Sequence, residues 1–204
     1  MATKKKGKAA PKPEIRKLFK SKAEWHSWLE KNHEQTEGLW LHFGKKGTGA
    51  VTCTYDEALE SALCFGWIDG QVRTHDEKTF VRKFTPRRAR SIWSKVNRTK
   101  AERLIQEGQM RPAGLRAIER AKEGGEWDGA YDSSSKSTVP EDFQASLDKS
   151  KVATAFFAKL DRANRYAVLW RIQTARNTQA RAKRISDLVA MLKKKETFHP
   201  WTFK

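Results

Sequence analysis

Apolar side chains recur along this chain with two different periods, and each change of period marks an element. Ser21-Lys22-Ala23-Glu24 places a hydroxyl ahead of a carboxylate as a capping box does, and Trp25, Trp28 and Leu29 follow at helical spacing. A helix ending near Asn32 is expected. Gly38-Leu39-Trp40-Leu41-His42-Phe43-Gly44 alternates apolar and polar positions between two glycines, the signature of a half-buried strand. Thr54-Tyr55-Asp56-Glu57 is a second capping box, and Ala58, Leu59, Ala62 and Leu63 form the apolar face behind it. Gly66 suits the left-handed residue that closes such a helix. Trp67-Ile68-Asp69 then opens a strand in which Gly70 permits a bulge, and Thr79 to Thr85 alternates again and pairs with it as a hairpin. Polar residues 74–78 make the loop, and Pro86 ends the second strand.

Beyond Pro86 the period is helical to the end. Thr99-Lys100-Ala101-Glu102 reads as a third capping box leading to Leu104, Ile105 and a stop at Gly108. Pro112 fits the first turn of the next helix, which runs over Leu115, Ile118 and Ala121 to Gly124-Gly125. Residues 128–138, DGAYDSSSKST, hold no core material and read as a linker. Pro140 starts a short helix. Val152, Phe156 and Leu160 mark the next, then Tyr166, Leu169 and Trp170, then Ile185, Leu188, Val189 and Leu192. The predicted bundle packs Phe156, Phe157, Trp170 and Leu188 inside.

The expected fold class is therefore α+β: a small antiparallel sheet flanked by helices, followed by an all-helical module. The expected boundaries are a basic tail over 1–20, an α+β domain over 21–127, the linker over 128–138 and the helical module over 139–195.

Composition adds charge to this picture. The 204 residues are 38% hydrophobic and 32% charged with a formal net charge of +18, a globular composition with a basic surplus. The first partner class to consider is therefore anionic: nucleic acid, acidic protein or anionic lipid. The surplus is concentrated. Residues 1–21 carry eight Lys/Arg against one Glu, 73–103 carry eleven against three acids, and 159–204 carry twelve against three. The start of the first, MATKKKGKAAPKPE, has nothing to bury and is expected to be disordered; such a tail is more often only solvated, and a nuclear-targeting signal in a eukaryote is the alternative. Cys53 and Cys64 are too few for a disulfide scaffold and lie in apolar surroundings, as buried free thiols do. With no membrane-length apolar run and no signal peptide, a cytoplasmic location is expected. Oligomeric state is not legible here.

Two stretches carry a resemblance. ALCFGWIDG followed by FTPRRARSIWSKVNRTKAERLIQEGQMRPAGL resembles the YdeI/OmpD-associated family, also called bacteriocin-protection proteins. So does the tail from VPEDFQASL through DRANRYAVLWRIQTARNTQARAKRISDLVAMLKK, giving a match over roughly residues 21–195. The resemblance implies an N-terminal domain related to YjbR/frataxin-like sandwiches, and an association with stress or antimicrobial-peptide tolerance. It transfers no catalytic residue.

The chemistry of the first stretch suggests a ligand site. Arg87, Arg88 and Arg90 precede Ser91, Trp93, Ser94 and Asn97, so a helical turn opening at Ser91 would aim amides and guanidinium groups at one anion. Asp69 at the neighbouring strand would orient one arginine, while Trp67 and Trp93 would wall the pocket or stack on a flat ligand. The plainer alternative is a structural salt bridge among core tryptophans. Catalytic alternatives are thinner: an Asp69–His75 carboxylate–imidazole pair, or Ser91 or Ser94 as a nucleophile outside any recognised nucleophile turn. His26, Glu30 and His33 share a helical face at metal-compatible spacing, although such patterns are common by chance. No glycine-rich nucleotide loop or CxxC calls for a cofactor. Two function classes follow: a non-catalytic binder of anionic partners, with nucleic acid the leading candidate on the basic 73–103 segment, the basic last helix and interleaved aromatics, and a small-molecule enzyme or ligand sensor using the Asp/Arg/Trp pocket.

Overall fold

A computed structural model describes residues 14–34 and 37–200 of the chain. In chain order these form β1 (Arg16–Lys17), α1 (Lys22–Asn32), β2 (Leu39–Gly44), α2 (Tyr55–Cys64), β3 (Trp67–Thr74) and β4 (Thr79–Pro86). Six further helices follow: α3 (Lys95–Gln106), α4 (Pro112–Glu123), α5 (Glu141–Asp148), α6 (Lys151–Lys159), α7 (Arg162–Gln173) and α8 (Thr178–Lys193). The α+β expectation holds. The chain divides into two compact units, Met1–Arg87 with Glu107–Ala117, and Arg88–Gln106 with Ile118–Lys204.

In the first unit the four strands run in the order β1-β2-β4-β3. β2 and β3 both pair antiparallel to β4, with Trp67 opposite Pro86 and Asp69 opposite Phe84, so the expected hairpin is present. A register shift between Asp69 and Val72 forms the bulge at Gly70. The sheet is mixed rather than purely antiparallel, because β1 joins β2 in parallel. Of the expected basic tail, residues 1–13 lie outside the described ones, whereas Arg16–Lys17 form this edge strand. No alternation announces it; it is held by backbone bonds such as Trp40 N donating to Ile15 O at 2.8 Å.

The pleat sends Leu39, Leu41, Phe43 and Phe84 to one face of the sheet, and α1 and α2 cover that face with Trp25, Leu29, Ala58, Leu59 and Ala62. Both helices start as their sequences dictate. Ser21 Oγ accepts from Glu24 N, and Thr54 and Glu57 form a reciprocal capping box. Trp25 Nε1 donates to Ala58 O at 3.0 Å and clips the two helices together.

Gly66 closes α2 with φ +72°, and two glycines allow the chain to approach itself closely there. A Cβ on Gly66 would stand 2.8 Å from Ala113 O, and one on Gly114 would stand 2.3 Å from Cys64 O. Arg111 N donates to that same Cys64 oxygen at 3.0 Å. The end of α2 and the start of α4 therefore meet backbone to backbone. Gly114→Ala gains about 1 kcal/mol of helix propensity but forces a methyl into a carbonyl that cannot swing aside, an overpacking cost of about 1–3 kcal/mol. Its urea midpoint should fall below that of the wild type; an unchanged or higher midpoint would contradict this packing.

In the second unit α3 begins at Lys95, ahead of the expected Thr99 box, because Ser94 Oγ accepts from Asn97 N at 3.1 Å and caps it. α5–α8 bury one core built from Phe143 and Leu147, Phe156 and Phe157, Val168 and Ile172, and Leu188 and Leu192. Trp170, expected inside, is only half-buried. Residues 128–138, expected as a linker, run within this unit and are tied to it through backbone polar groups. Tyr131 N donates to Trp93 O at 3.0 Å, Lys95 N donates to Tyr131 O at 2.8 Å, and Tyr166 Oη donates to Asp132 O at 2.9 Å. Such bonds use main-chain atoms that every sequence has, so polarity alone does not reveal them. Among the described residues no helix is long and apolar enough to cross a membrane.

Candidate functional site

The residues singled out from the sequence fall on both units. Trp67, Asp69 and Arg87 belong to the first; Arg88, Arg90, Ser91, Trp93 and Asn97 belong to the second. Trp67 is a core residue, its ring edge-on to Trp25 at 6.1 Å and its Nε1 donating to His33 O at 3.2 Å. Trp93 is equally buried and packs against Trp127 at 4.8 Å. Arg87 is buried, and its backbone N–H donates to Gly66 O at 2.9 Å. Arg88 and Arg90 are exposed, and Ser91 N donates to Arg88 O at 3.1 Å in a turn where Arg90 has φ +61°. Ser91 therefore sits in a turn, and the capping of α3 falls to Ser94.

Asp69 meets Arg82 of β4 and accepts a hydrogen bond from Tyr55 Oη at 3.0 Å. The register explains the choice of arginine. Asp69 lies opposite Phe84, and Arg82, two residues along, projects from the same face. The Arg82 guanidinium also covers the Tyr55 ring at 4.5 Å. Burial, and then the Asp69 charge, push the Tyr55 phenol up from 10.0 to about 12. A group whose folded pKa is raised lends stability that is complete below its unfolded pKa and vanishes as the pH climbs through the folded one. The window here runs from about pH 10 to 12. Alkaline absorbance titration should show a late tyrosine transition that Tyr55→Phe removes and Asp69→Asn moves to lower pH; identical titrations of wild type and Tyr55→Phe would contradict the assignment.

The histidines and carboxylates of the catalytic and metal alternatives have other neighbours. The His75 ring meets His42 at 4.5 Å and its Nε2 lies 3.7 Å from Asp76, while Asp69 faces Tyr55 and Arg82. The His26 and His33 rings both lie against Phe65, at 4.9 and 5.2 Å, and Glu30 pairs with Arg111 at 3.5 Å. Among the described residues no three His, Cys, Asp or Glu side chains are placed to hold a metal ion. The thiols of Cys53 and Cys64 are buried, and burial pushes both up to about 11.

A different site stands out in the second unit, a cavity of about 590 Å³ beside the end of α7 and one face of α8. Ile92, Trp170, Leu188, Met191 and Phe198 supply its apolar walls. Arg171, Thr174, Arg176, Arg184 and Asp187 supply its polar lining. Arg184 Nη1 donates to Arg171 O at 2.6 Å and to Thr174 Oγ1 at 3.3 Å, so it satisfies a carbonyl at the end of α7. Arg171 Nη1 donates to Ala167 O at 2.8 Å, and its guanidinium carbon stands 3.5 Å from the centre of the Phe198 ring. Phe198 is held by the buried Asn164, whose Oδ1 accepts from Phe198 N at 3.1 Å and His199 N at 2.9 Å.

The electrostatics of this cavity are one-sided. Among the described residues none of its three arginines forms an ion pair with a carboxylate, and the lining carboxylate, Asp187, is engaged by Lys183 at 2.7 Å. Burial, and then the charge of Arg184, lower the Arg171 pKa from its ordinary value. Bringing like charges together beside apolar walls costs free energy that an anion would recover. The segment Arg88–Trp93, suspected from sequence, touches this site only through Ile92 in the cavity wall. Arg171 and Arg184 sit among the core positions of α7 and α8, so the sequence shows them as part of the basic surplus of 159–204 and not as a site. The available signal was Arg184, Asp187, Leu188 and Met191 at helical spacing, a face mixing charged and apolar groups where a plain core stripe is apolar throughout.

Comparison with known families bears on both parts of the chain. Residues 17–117 match the model of a domain of unknown function, DUF8412. Residues 136–195 match the model described as bacteriocin-protection, YdeI or OmpD-associated, which supports the resemblance seen in the tail. The N-terminal match is not to a YjbR or frataxin-like domain. No curated protein and no solved structure matches the chain. The matched residues 136–195 contain α5–α8, and with them every cavity residue except Ile92 and Phe198.

Proposed function

We propose that this YdeI/OmpD-associated-like chain is a non-catalytic binding protein for an anionic ligand bearing phosphate or carboxylate, held by Arg171, Arg176 and Arg184. The observation that carries this reading is three arginines around one cavity whose lining carboxylate is already engaged by Lys183. Guanidinium groups suit the task because they stay charged and present several donors in one plane. Trp170 and Phe198 exclude water beside them, which strengthens each charge-assisted bond. A net charge of +18 repels any cationic peptide, so the charge does not favour direct capture of such a peptide as the basis of the family's bacteriocin-protection description. Recognition of an anionic metabolite or signal fits the charge better.

The test is calorimetric titration with inorganic pyrophosphate at two salt concentrations. Arg184→Ala should weaken binding by about 1.5–3 kcal/mol, the loss typical of a hydrogen bond to a charged group. The exposed Lys46, changed to Ala in the first unit, should leave binding nearly unchanged. If both variants lose affinity equally, and affinity collapses with salt as on a phosphate backbone, the chain is a general polyanion binder and the site assignment fails.

A further inference from the structure

The walls of the cavity narrow the ligand beyond its charge. Resting on the anion reading above, we infer that the site takes an amphiphilic anion: one acidic head group carried on an aromatic or branched apolar body. The head belongs at Arg171 and Arg184, which the α7 carbonyls and Thr174 hold in place. The body belongs against Trp170, Leu188, Met191 and Phe198. A bare phosphate would leave those walls in water. A polynucleotide presents its charges along an extended strand, whereas here three arginines gather at one cavity beside a compact apolar wall. A cavity of about 590 Å³ falls within the usual range for a small organic ligand.

Two details support the apolar half. Met191 is unbranched and adapts to irregular bodies, as methionines in tolerant binding surfaces do. Phe198 comes from beyond α8 and reaches the cavity because Asn164, only 1% exposed, grips the backbone of Phe198 and His199. A buried amide devoted to holding one aromatic ring over an arginine fixes that ring as a wall. The ring also screens Arg171 from water on one face, leaving its remaining donors for the head group.

The probe is 1-anilinonaphthalene-8-sulfonate, an aromatic ring system with one sulfonate, compared with inorganic phosphate on the full chain. Fluorescence titration should give one site per chain, bound at least tenfold more tightly than phosphate. Phe198→Ala should weaken the dye about tenfold or more, roughly what removal of one aromatic contact costs, and weaken phosphate by a distinctly smaller factor, since phosphate loses only the ring's shielding of Arg171. Phe198→Leu keeps much of the apolar volume and should give a smaller loss; it replaces the alanine variant if near-ultraviolet circular dichroism shows that variant unfolded. Arg184→Ala should weaken both probes. If the dye is no tighter than phosphate, or Phe198 variants change both probes equally, the amphiphile is overturned while the anion site stands. If Arg184→Ala changes neither probe, both readings fall.

Discussion

Trp25→Ala should lower the unfolding free energy by about 3–5 kcal/mol, the range for removing a fully buried large aromatic. The side chain is wholly inaccessible and stands where α1, α2 and the sheet converge. Its ring meets Phe19 at 5.2 Å, Trp28 at 5.4 Å, Phe84 at 5.9 Å and Trp67 at 6.1 Å. Removing it opens a cavity among aromatics that cannot collapse to fill it, and takes the donor from Ala58 O as well. Trp25→Phe keeps most of the packing and loses the hydrogen bond, so it should cost distinctly less. Urea unfolding followed by the remaining tryptophans separates the two; equal losses would mean that the indole N–H, and not its bulk, holds this core.

The same magnitude is expected at the centre of the helical core. Phe143 has no exposed surface and stands edge-on to Phe157 at 5.3 Å. α5 is a short helix, and Phe143 and Leu147 are its buried residues, so Phe143→Ala removes much of the reason for α5 to pack at all. A loss of about 3–5 kcal/mol is expected, with faster amide exchange concentrated in 141–148. Phe143→Leu should retain most of the stability, because cores tolerate apolar exchanges of similar volume. A Phe143→Ala variant within about 1 kcal/mol of wild type would show that α5 is peripheral to this core, well below the usual cost of emptying a buried ring.

Most of the fold was legible because it rests on local rules. Thr54 and Glu57 cap α2 as their spacing indicates, Gly66 closes it, and the alternation at 79–85 forms a strand. What escaped depends on atoms without a sequence signature. β1 is a two-residue basic edge held by its main chain, and the polar stretch 128–138 is tied in through carbonyls and amides. At the start of α3 the sequence pointed to Ser91 and Thr99, whereas Ser94 caps the helix by accepting from Asn97 N. The site was less legible still. Adjacent arginines follow Pro86, yet Asp69 meets Arg82 because strand register, not proximity in sequence, decides cross-strand partners. Arg171 and Arg184 come together through the packing of α7 on α8, Arg176 stands in the turn between those helices, and Phe198 arrives through the grip of Asn164. Neither juxtaposition can be read from spacing within one element.

The central claim, that Arg171 and Arg184 form a defined anion site, is tested most directly by nitrogen-15 spectra of the arginine side chains during titration with pyrophosphate. The Nε–Hε signals of these two residues, assigned through Arg171→Lys and Arg184→Lys variants, should shift together and saturate at one equivalent, while those of the exposed Arg88 and Arg90 stay nearly still. Small shifts spread across all exposed arginines, growing with concentration and never saturating, would contradict the site and leave only the diffuse attraction of a basic surface.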